Sequence, residues 1–177
     1  FKIYCHEELA DTITQLCMLT LVKKFTSFLG DRILIKKVKD GEEKNAAGMK
    51  LTFFDIHSTK TKQFGFRAGF EDGTRLTCLG DEPYKETARP YAEGCDWLLS
   101  EAFCLDRDKE IFHPYEKHHS TALDAGRLAQ QLHVKNLVLY HTEDTCLSER
   151  KESYTKEAAR CFDGNIFVPL DLERIRL

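Results

Sequence analysis

The order of strand-like and helix-like apolar patterns is the feature that most constrains the fold of this chain. Residues 1–80 carry mostly strand patterns, interrupted by one helical pattern over residues 7–29. From residue 86 onward, helical and strand patterns alternate up to residue 168. A β-rich beginning followed by alternating helices and strands is typical of a layered α/β sandwich. No repeat, low-complexity tract or linker interrupts residues 1–177, so we expect a single domain.

The charge balance disfavours broad electrostatic capture of nucleic acid. The chain of 177 residues has a formal net charge of -3, whereas a protein that binds by neutralising phosphates needs a strongly basic face. Its compact basic cluster, Lys36, Lys37 and Lys39, is followed directly by Glu42 and Glu43. We interpret this cluster as the solvated end of a strand.

The cysteines indicate a reducing compartment, and the lengths of the apolar runs bear on membrane insertion. Several of the cysteines, such as Cys17 and Cys78, lie in apolar runs. The chain has an odd number of cysteines and no C-x-x-C pair, with cysteines at positions 5, 17, 78, 95, 104, 146 and 161. Free cysteines of this kind are typical of a reduced, cytoplasmic protein. No apolar run approaches the roughly 20 residues of a membrane span, so no membrane partner is expected.

The first residues suggest a longer parent chain. Residues 1–5 have a strand-like composition from the first position, and no initiating methionine precedes them. We therefore expect the sequence to be part of a longer protein.

Three polar residues directly follow predicted strands. His57 follows residues 51–56, Asp81 follows residues 76–80, and His141 follows residues 137–140. Histidine nitrogen and carboxylate oxygen both suit Zn²⁺ or a similar divalent ion, and strand ends hold ligands rigidly. Each residue taken alone is more simply explained as a satisfied histidine or a turn aspartate. Three of them at equivalent strand ends weaken that explanation, but their spacing by itself does not identify a metal.

A fourth feature lies before the helix predicted over residues 121–132. Ser120 or Thr121 can cap this helix, and Asp124 follows Thr121 at capping-box spacing. His119 would then lie beside a helix N-terminus, where it could donate a proton or stabilise an anion. The alternative interpretation is that the motif only begins a helix and that His118 and His119 are both solvated.

Taken in order, these segments resemble the ribonuclease Z branch of the metallo-β-lactamase superfamily. The resemblance extends over nearly the whole chain and depends on six short motifs. They are the opening strand and helix, F-D-I-H at 54–57 with F-G-F-R at 64–67, T-C-L-G-D at 77–81, C-D-W-L-L-S-E-A at 95–102, H-S-T with D-A at 119–125, and L-V-L-Y-H at 137–141.

The resemblance implies the fold and a role for each matching residue. The fold would be part of an αββα sandwich, with mixed sheets flanked by helices. His57 would bind one divalent ion, Asp81 would bridge two, and His141 would bind the second; the ions would be zinc, with manganese or iron as alternatives. His119 would be the proton donor, supported by Glu101, and Ser120 and Thr121 would contact substrate. A water bridging the metals would attack a phosphodiester.

Two departures from the family pattern limit this interpretation. The signature H-x-H-x-D-H, which supplies most metal ligands in the family, is missing from residues 1–177 and is expected upstream of Phe1. Three ligands divided between two ions fall short of the usual four donors each, so the fragment alone should be inactive. The second departure is a short turn near Asp72-Gly73 where tRNA-processing members often insert a long arm. RNA is therefore a weakly supported substrate.

Three functions remain open at this point. The first is a metal-dependent phosphodiesterase that acts on a phosphodiester or another small molecule. The second is a non-catalytic partner domain with the same fold. The third is a hydrolase of β-lactams or thioesters. The resemblance also implies a homodimer, because members of the family are often dimeric.

Overall fold

The computed structural model describes residues 1–145 and 147–177. Cys146 lies outside the described residues, and the other six cysteines are free. The strands are β1 (Lys2–Cys5), β2 (Leu34–Lys37), β3 (Glu43–Ala46), β4 (Met49–Asp55), β5 (Phe64–Gly69), β6 (Arg75–Cys78), β7 (Trp97–Glu101), β8 (Asn136–Tyr140) and β9 (Asn165–Phe167). The helices are α1 (Glu7–Thr20), α2 (Lys23–Thr26), α3 (Arg89–Ala92), α4 (Lys109–Phe112), α5 (Ala122–Gln131) and α6 (Arg150–Ala158). Two 3₁₀ turns, Glu86–Ala88 and Asp106–Asp108, precede α3 and α4.

Seven strands form one mixed sheet in the order β3-β4-β5-β6-β7-β8-β9. The strands from β3 to β6 pair antiparallel, and those from β6 to β9 pair parallel. Parallel strands need a crossover, and the chain makes these crossovers through the helical segments that contain α3, α5 and α6. A separate two-stranded parallel sheet joins β1 to β2. The predicted α/β class, with a mixed sheet flanked by helices, is confirmed.

The strand directions bring the carboxyl ends of five strands to one edge of the sheet. Strand β4 is antiparallel to β5, and β5 is antiparallel to β6, so β4 runs in the same direction as β6. Strands β7, β8 and β9 follow in parallel from β6. The carboxyl ends of β4, β6, β7, β8 and β9 therefore lie at the same edge, which we call the carboxyl edge.

The main core packs α3, α5 and α6 against one face of the sheet. Its buried residues include Phe54 and Leu98 from the sheet and Tyr154 from α6. Helices α5 and α6 lie so close together at Gly126 that a side chain added there would meet the backbone of Ala158. Phe54 stacks on Tyr91 with ring centroids 4.4 Å apart. In the described part of the chain, no helix is long and apolar enough to cross a membrane.

Two elements differ from the sequence-based prediction. The helix expected over residues 7–29 ends at Thr20, because Leu21 and Val22 have extended backbone angles before α2 begins. Helix α1 buries only Ala10, so the apolar spacing beyond Thr20 had no core to hold it in helical form. Strand β3 was not expected, since its sequence, Glu-Lys-Asn-Ala, is polar. It is an edge strand, where charged side chains are usual.

The close contact between α5 and α6 gives a stability prediction. A Cβ atom at residue 126 would lie 2.5 Å from the carbonyl oxygen of Ala158 and 3.0 Å from its Cα. We expect Gly126→Ala to lower the free energy of unfolding by about 1–3 kcal/mol, although alanine favours an isolated helix over glycine. Urea denaturation would measure the change. Arg127→Ala, with a side chain that is 60% exposed on the same helix, is the control and should change stability little. A Gly126→Ala variant as stable as the wild type would contradict the close packing.

Candidate active site at the carboxyl edge

Left-handed backbone conformations end three of the strands that reach the carboxyl edge. The φ angles are 53° at His57 after β4, 83° at Gly80 after β6, and 55° at His141 after β8. Such values are uncommon for residues other than glycine and carry strain, which proteins retain chiefly at functional positions. His57 and His141 are two of the residues predicted from the strand ends, and the third, Asp81, directly follows Gly80. The Tyr140 hydroxyl donates a hydrogen bond to the Gly80 carbonyl, which joins the ends of β6 and β8.

Asp81 and His141 form the first pair of the site. Asp81 Oδ2 lies 3.8 Å from His141 Nε2, and two donors to one tetrahedral zinc ion lie about 3.4 Å apart. The other carboxylate oxygen, Asp81 Oδ1, is buried without a hydrogen-bond partner. A buried unpartnered oxygen costs free energy that a bound cation would offset. This pair therefore fits a shared divalent ion.

Glu101 and His119 form the second pair. Glu101 Oε2 lies 3.6 Å from His119 Nδ1, and both atoms are buried without a hydrogen-bond partner. Burial raises the pKa of Glu101 to about 7, although hydrogen bonds from Ser120 act in the opposite direction. Burial also lowers the pKa of His119, and the nearby charge of Lys60 lowers it further.

The segment before α5 holds this second pair in place. Ser120 donates to Glu101 Oε1 from its backbone nitrogen at 2.7 Å and from its hydroxyl at 2.6 Å. Thr121 and Asp124 form the expected capping box. His118 is exposed whereas His119 is buried, so the alternative of two solvated histidines is wrong for His119. Both Ser120 and Thr121 use their hydroxyls within the protein, and their contact with substrate stays a prediction.

The two pairs form one cluster. The rings of His119 and His141 have centroids 4.8 Å apart, and Phe103 stacks on His119 at 5.0 Å. Glu101, His119 and His141 offer metal-binding atoms that all lie within 4.8 Å of one another. A cavity of about 230 Å³ lies beside His119 and Ser120 and is lined partly by Tyr84 and Tyr115.

His57 stands apart from this cluster in the contacts of the described residues. Its imidazole is half exposed, and Nδ1 lies 4.0 Å from Asp55 Oδ1. The assignment of His57 as a metal ligand stays a prediction.

Two residues at the site were missed by the sequence reasoning. Buried Glu82 holds the segment after His57, because it accepts hydrogen bonds from the Ser58 hydroxyl at 2.5 Å and the Thr59 backbone at 3.0 Å. Lys60 from the same segment places Nζ 3.4 Å from His119 Nε2. The position of Glu82 directly after Asp81 could have indicated its role. An acidic residue after a strand is, however, also typical of an ordinary turn.

The raised pKa of Glu101 predicts a pH-dependent stability. Between an unfolded pKa of about 4.5 and a folded pKa of about 7, the folded chain binds more protons than the unfolded chain. Its free energy of unfolding therefore falls as pH rises through this range, by roughly 3 kcal/mol from this group. The Glu101→Gln side chain still accepts hydrogen bonds from Ser120 but does not ionise. The free energy of unfolding of this variant, relative to that of the wild type, should therefore increase between pH 5 and pH 8. Urea denaturation in a metal chelator measures this difference, and exposed Glu110→Gln is the matched control. Parallel pH profiles for wild type and Glu101→Gln would refute the prediction.

Comparison with known proteins finds sequence relatives that are named ribonuclease Z. Over 90 residues the chain is 37% identical to the ribonuclease Z of Thermobifida fusca, which covers 51% of this chain and 28% of that protein. It is 29% identical to the ribonuclease Z of Streptococcus suis over 206 aligned positions, which cover 100% of this chain and 63% of that protein. The chain thus spans less than two thirds of the length of either relative. No family model matches it.

Solved structures agree on the fold. The metallo-beta-lactamase fold protein YhfI from Bacillus subtilis superimposes with a TM-score of 0.68 at 23% identity, covering 93% of this chain and 60% of that one. The Zn²⁺-bound PqqB from Methylobacterium extorquens gives a TM-score of 0.67 at 15% identity, covering 97% of this chain and 65% of that one. The solved structures show that this chain has the metallo-β-lactamase fold, and its sequence is similar to proteins named ribonuclease Z.

Proposed function

We propose that this chain is the C-terminal portion of a metal-dependent hydrolase that cleaves a phosphodiester. The observation that carries the proposal is the juxtaposition, at one sheet edge, of the Asp81–His141 pair with the Glu101–His119 pair. One pair suits a divalent cation and the other suits proton transfer. The curated relatives are named as ribonucleases, which act on phosphodiester bonds.

Asp81 and His141 would hold the metal, with His57 as a further ligand from the neighbouring strand end. Each ion needs about four donors, so the remaining ligands would come from residues outside this chain, as the missing H-x-H-x-D-H signature suggests. We propose two divalent ions, zinc in the first place and manganese or iron as alternatives. When bound, the ions would activate a water and stabilise negative charge that develops on the phosphate.

His119 would deliver a proton to the leaving oxygen. Burial and the charge of Lys60 lower its pKa in the free protein, which favours the neutral imidazole. A phosphodiester anion beside it would favour the protonated form, because an opposite charge stabilises imidazolium. Glu101 is a positioning residue, since its Oε2 faces His119 Nδ1 while Ser120 holds its other oxygen. A carboxylate behind the ring fixes which nitrogen points to substrate.

The substrate class is narrower than the relatives' name suggests. The turn between β5 and β6 is a tight hairpin closed by hydrogen bonds between Phe70 and Thr74 and between Gly73 and Phe70. It offers no long arm for a folded RNA, so we favour a small phosphodiester over RNA. We further propose a cytoplasmic protein that forms a homodimer, in keeping with the free cysteines and the family resemblance.

Activity and metal content of the natural full-length protein test the proposal. The protein should lose its hydrolysis of bis-p-nitrophenyl phosphate after treatment with a metal chelator and dialysis. Addition of zinc should restore the activity. Asp81→Asn and His141→Ala should lower metal content measured by elemental analysis. His119→Ala should keep the metal and lower kcat by about 10²–10⁴-fold, the range expected for loss of a general acid.

The control is His133→Asn, a change at an exposed histidine that also has a left-handed φ angle. It should leave metal content and kcat unchanged, because asparagine tolerates this backbone conformation. Purified protein with less than one metal per chain and no phosphodiesterase activity would favour a non-catalytic partner domain. Activity on a β-lactam or a thioester, without activity on the phosphodiester, would favour a β-lactam or thioester hydrolase.

A further inference from the structure

Arg150 is a buried cation that forms no ion pair with another of the described residues. It is the first residue of α6 and only 9% exposed. Its Nη1 donates to the Thr142 hydroxyl at 3.0 Å, while its Nε is buried without a hydrogen-bond partner. The ion pairs found among residues 1–145 and 147–177 do not include Arg150.

Such an arrangement is costly unless a ligand completes it. A buried charge without a partner carries a penalty of several kcal/mol. The position adds to this penalty, because the N-terminus of a helix is its positive end and disfavours a cation. The N-cap residue Glu149 makes no side-chain hydrogen bond to the first turn of α6. Both the guanidinium and the helix end therefore favour an anion at this place.

The guanidinium lines a cleft that also reaches the candidate active site. The cleft has a volume of about 580 Å³, and its lining includes His141 and Thr142 as well as Arg150. Apolar groups contributed by Leu139, Pro169 and Leu170 form another part of the lining. The cleft therefore combines a cation, a hydroxyl and apolar surface within one open space next to His141.

The acidic residues of the cleft do not neutralise Arg150. Glu173 is paired with Lys151 at 2.6 Å. Asp144 and Asp171 are exposed, so water screens their charges. Arg150 is therefore the buried charged residue among those that line the cleft.

We propose that Arg150 and Thr142 form a phosphate-binding subsite beside His141. A guanidinium is a planar, charged hydrogen-bond donor of the kind that binds phosphate oxygens. Thr142 accepts a hydrogen bond from Arg150, so its own hydroxyl proton is available to another phosphate oxygen. The subsite holds a phosphate group of the substrate, and the apolar lining contacts the attached organic group. This assignment to substrate rests on the proposed function, whereas phosphate binding itself does not.

Inorganic phosphate is the probe. In ¹⁵N-labelled protein with a metal chelator present, the side-chain Nε–Hε resonance of Arg150 should shift saturably as phosphate is added. Arg150→Lys identifies this resonance by its disappearance. Arg150→Gln should weaken the phosphate Kd from calorimetry by at least about tenfold, as expected for loss of a charge-assisted contact. Thr142→Val should weaken it severalfold.

Arg127→Gln removes an exposed guanidinium and should leave the phosphate Kd unchanged. An Arg150 resonance that does not respond, or equal affinity in wild type and Arg150→Gln, would overturn the subsite. If Arg150→Gln fails to fold, the resonance in the wild-type protein decides the question by itself. Phosphate binding without any hydrolase activity would refute only the proposed function, and hydrolysis without this phosphate response would refute only the subsite.

Discussion

The common direction of β4, β6, β7 and β8 is the constraint on which the site depends. Parallel pairing from β6 to β8, together with two antiparallel steps from β4 to β6, brings their carboxyl ends to one edge. The helical crossovers that parallel pairing requires then cover one face of the sheet and bury its apolar side chains. The same geometry therefore builds the core and gathers polar groups at its margin. A change in the direction of one of these strands would move its polar end residue to the opposite edge.

Unsatisfied polar atoms mark the same region. Among the described residues, the buried side-chain atoms without a hydrogen-bond partner belong to Asp81, Glu101, His119 and Arg150. Each such atom costs about 1–3 kcal/mol, and folded proteins keep few of them. The first three lie at the carboxyl edge, and Arg150 lines the cleft that includes His141. Left-handed backbone at His57 and His141 adds strain there. Stability is thus lower where the chemistry is proposed and is supplied by the sheet and helices behind it.

Much of this arrangement could be read from local patterns. Apolar runs that end on His57, Asp81 and His141 predicted the strand ends, because a buried strand stops where its side chains become polar. The spacing of Thr121 and Asp124 predicted the capping box, which depends on only four residues. The polar strand β3 and the break after Thr20 escaped prediction. Strand β3 forms because it pairs with β4 at the edge of the sheet, and α1 ends because no core packs against the residues after Thr20. Both features depend on tertiary contacts and not on the local sequence.

By itself, the sequence determined the α/β class, the family resemblance and the residues able to bind metal or transfer a proton. These depend on short-range periodicity and on the chemistry of single side chains. Only the tertiary structure decided which of those residues meet. It joined Asp81 to His141 and Glu101 to His119, kept the His57 side chain apart, and placed Lys60 beside His119. It also showed that Arg150 is buried and that its Nε has no hydrogen-bond partner among the described residues. Burial and distance between remote segments set these properties, because both arise only when the strands pair and the helices close over them.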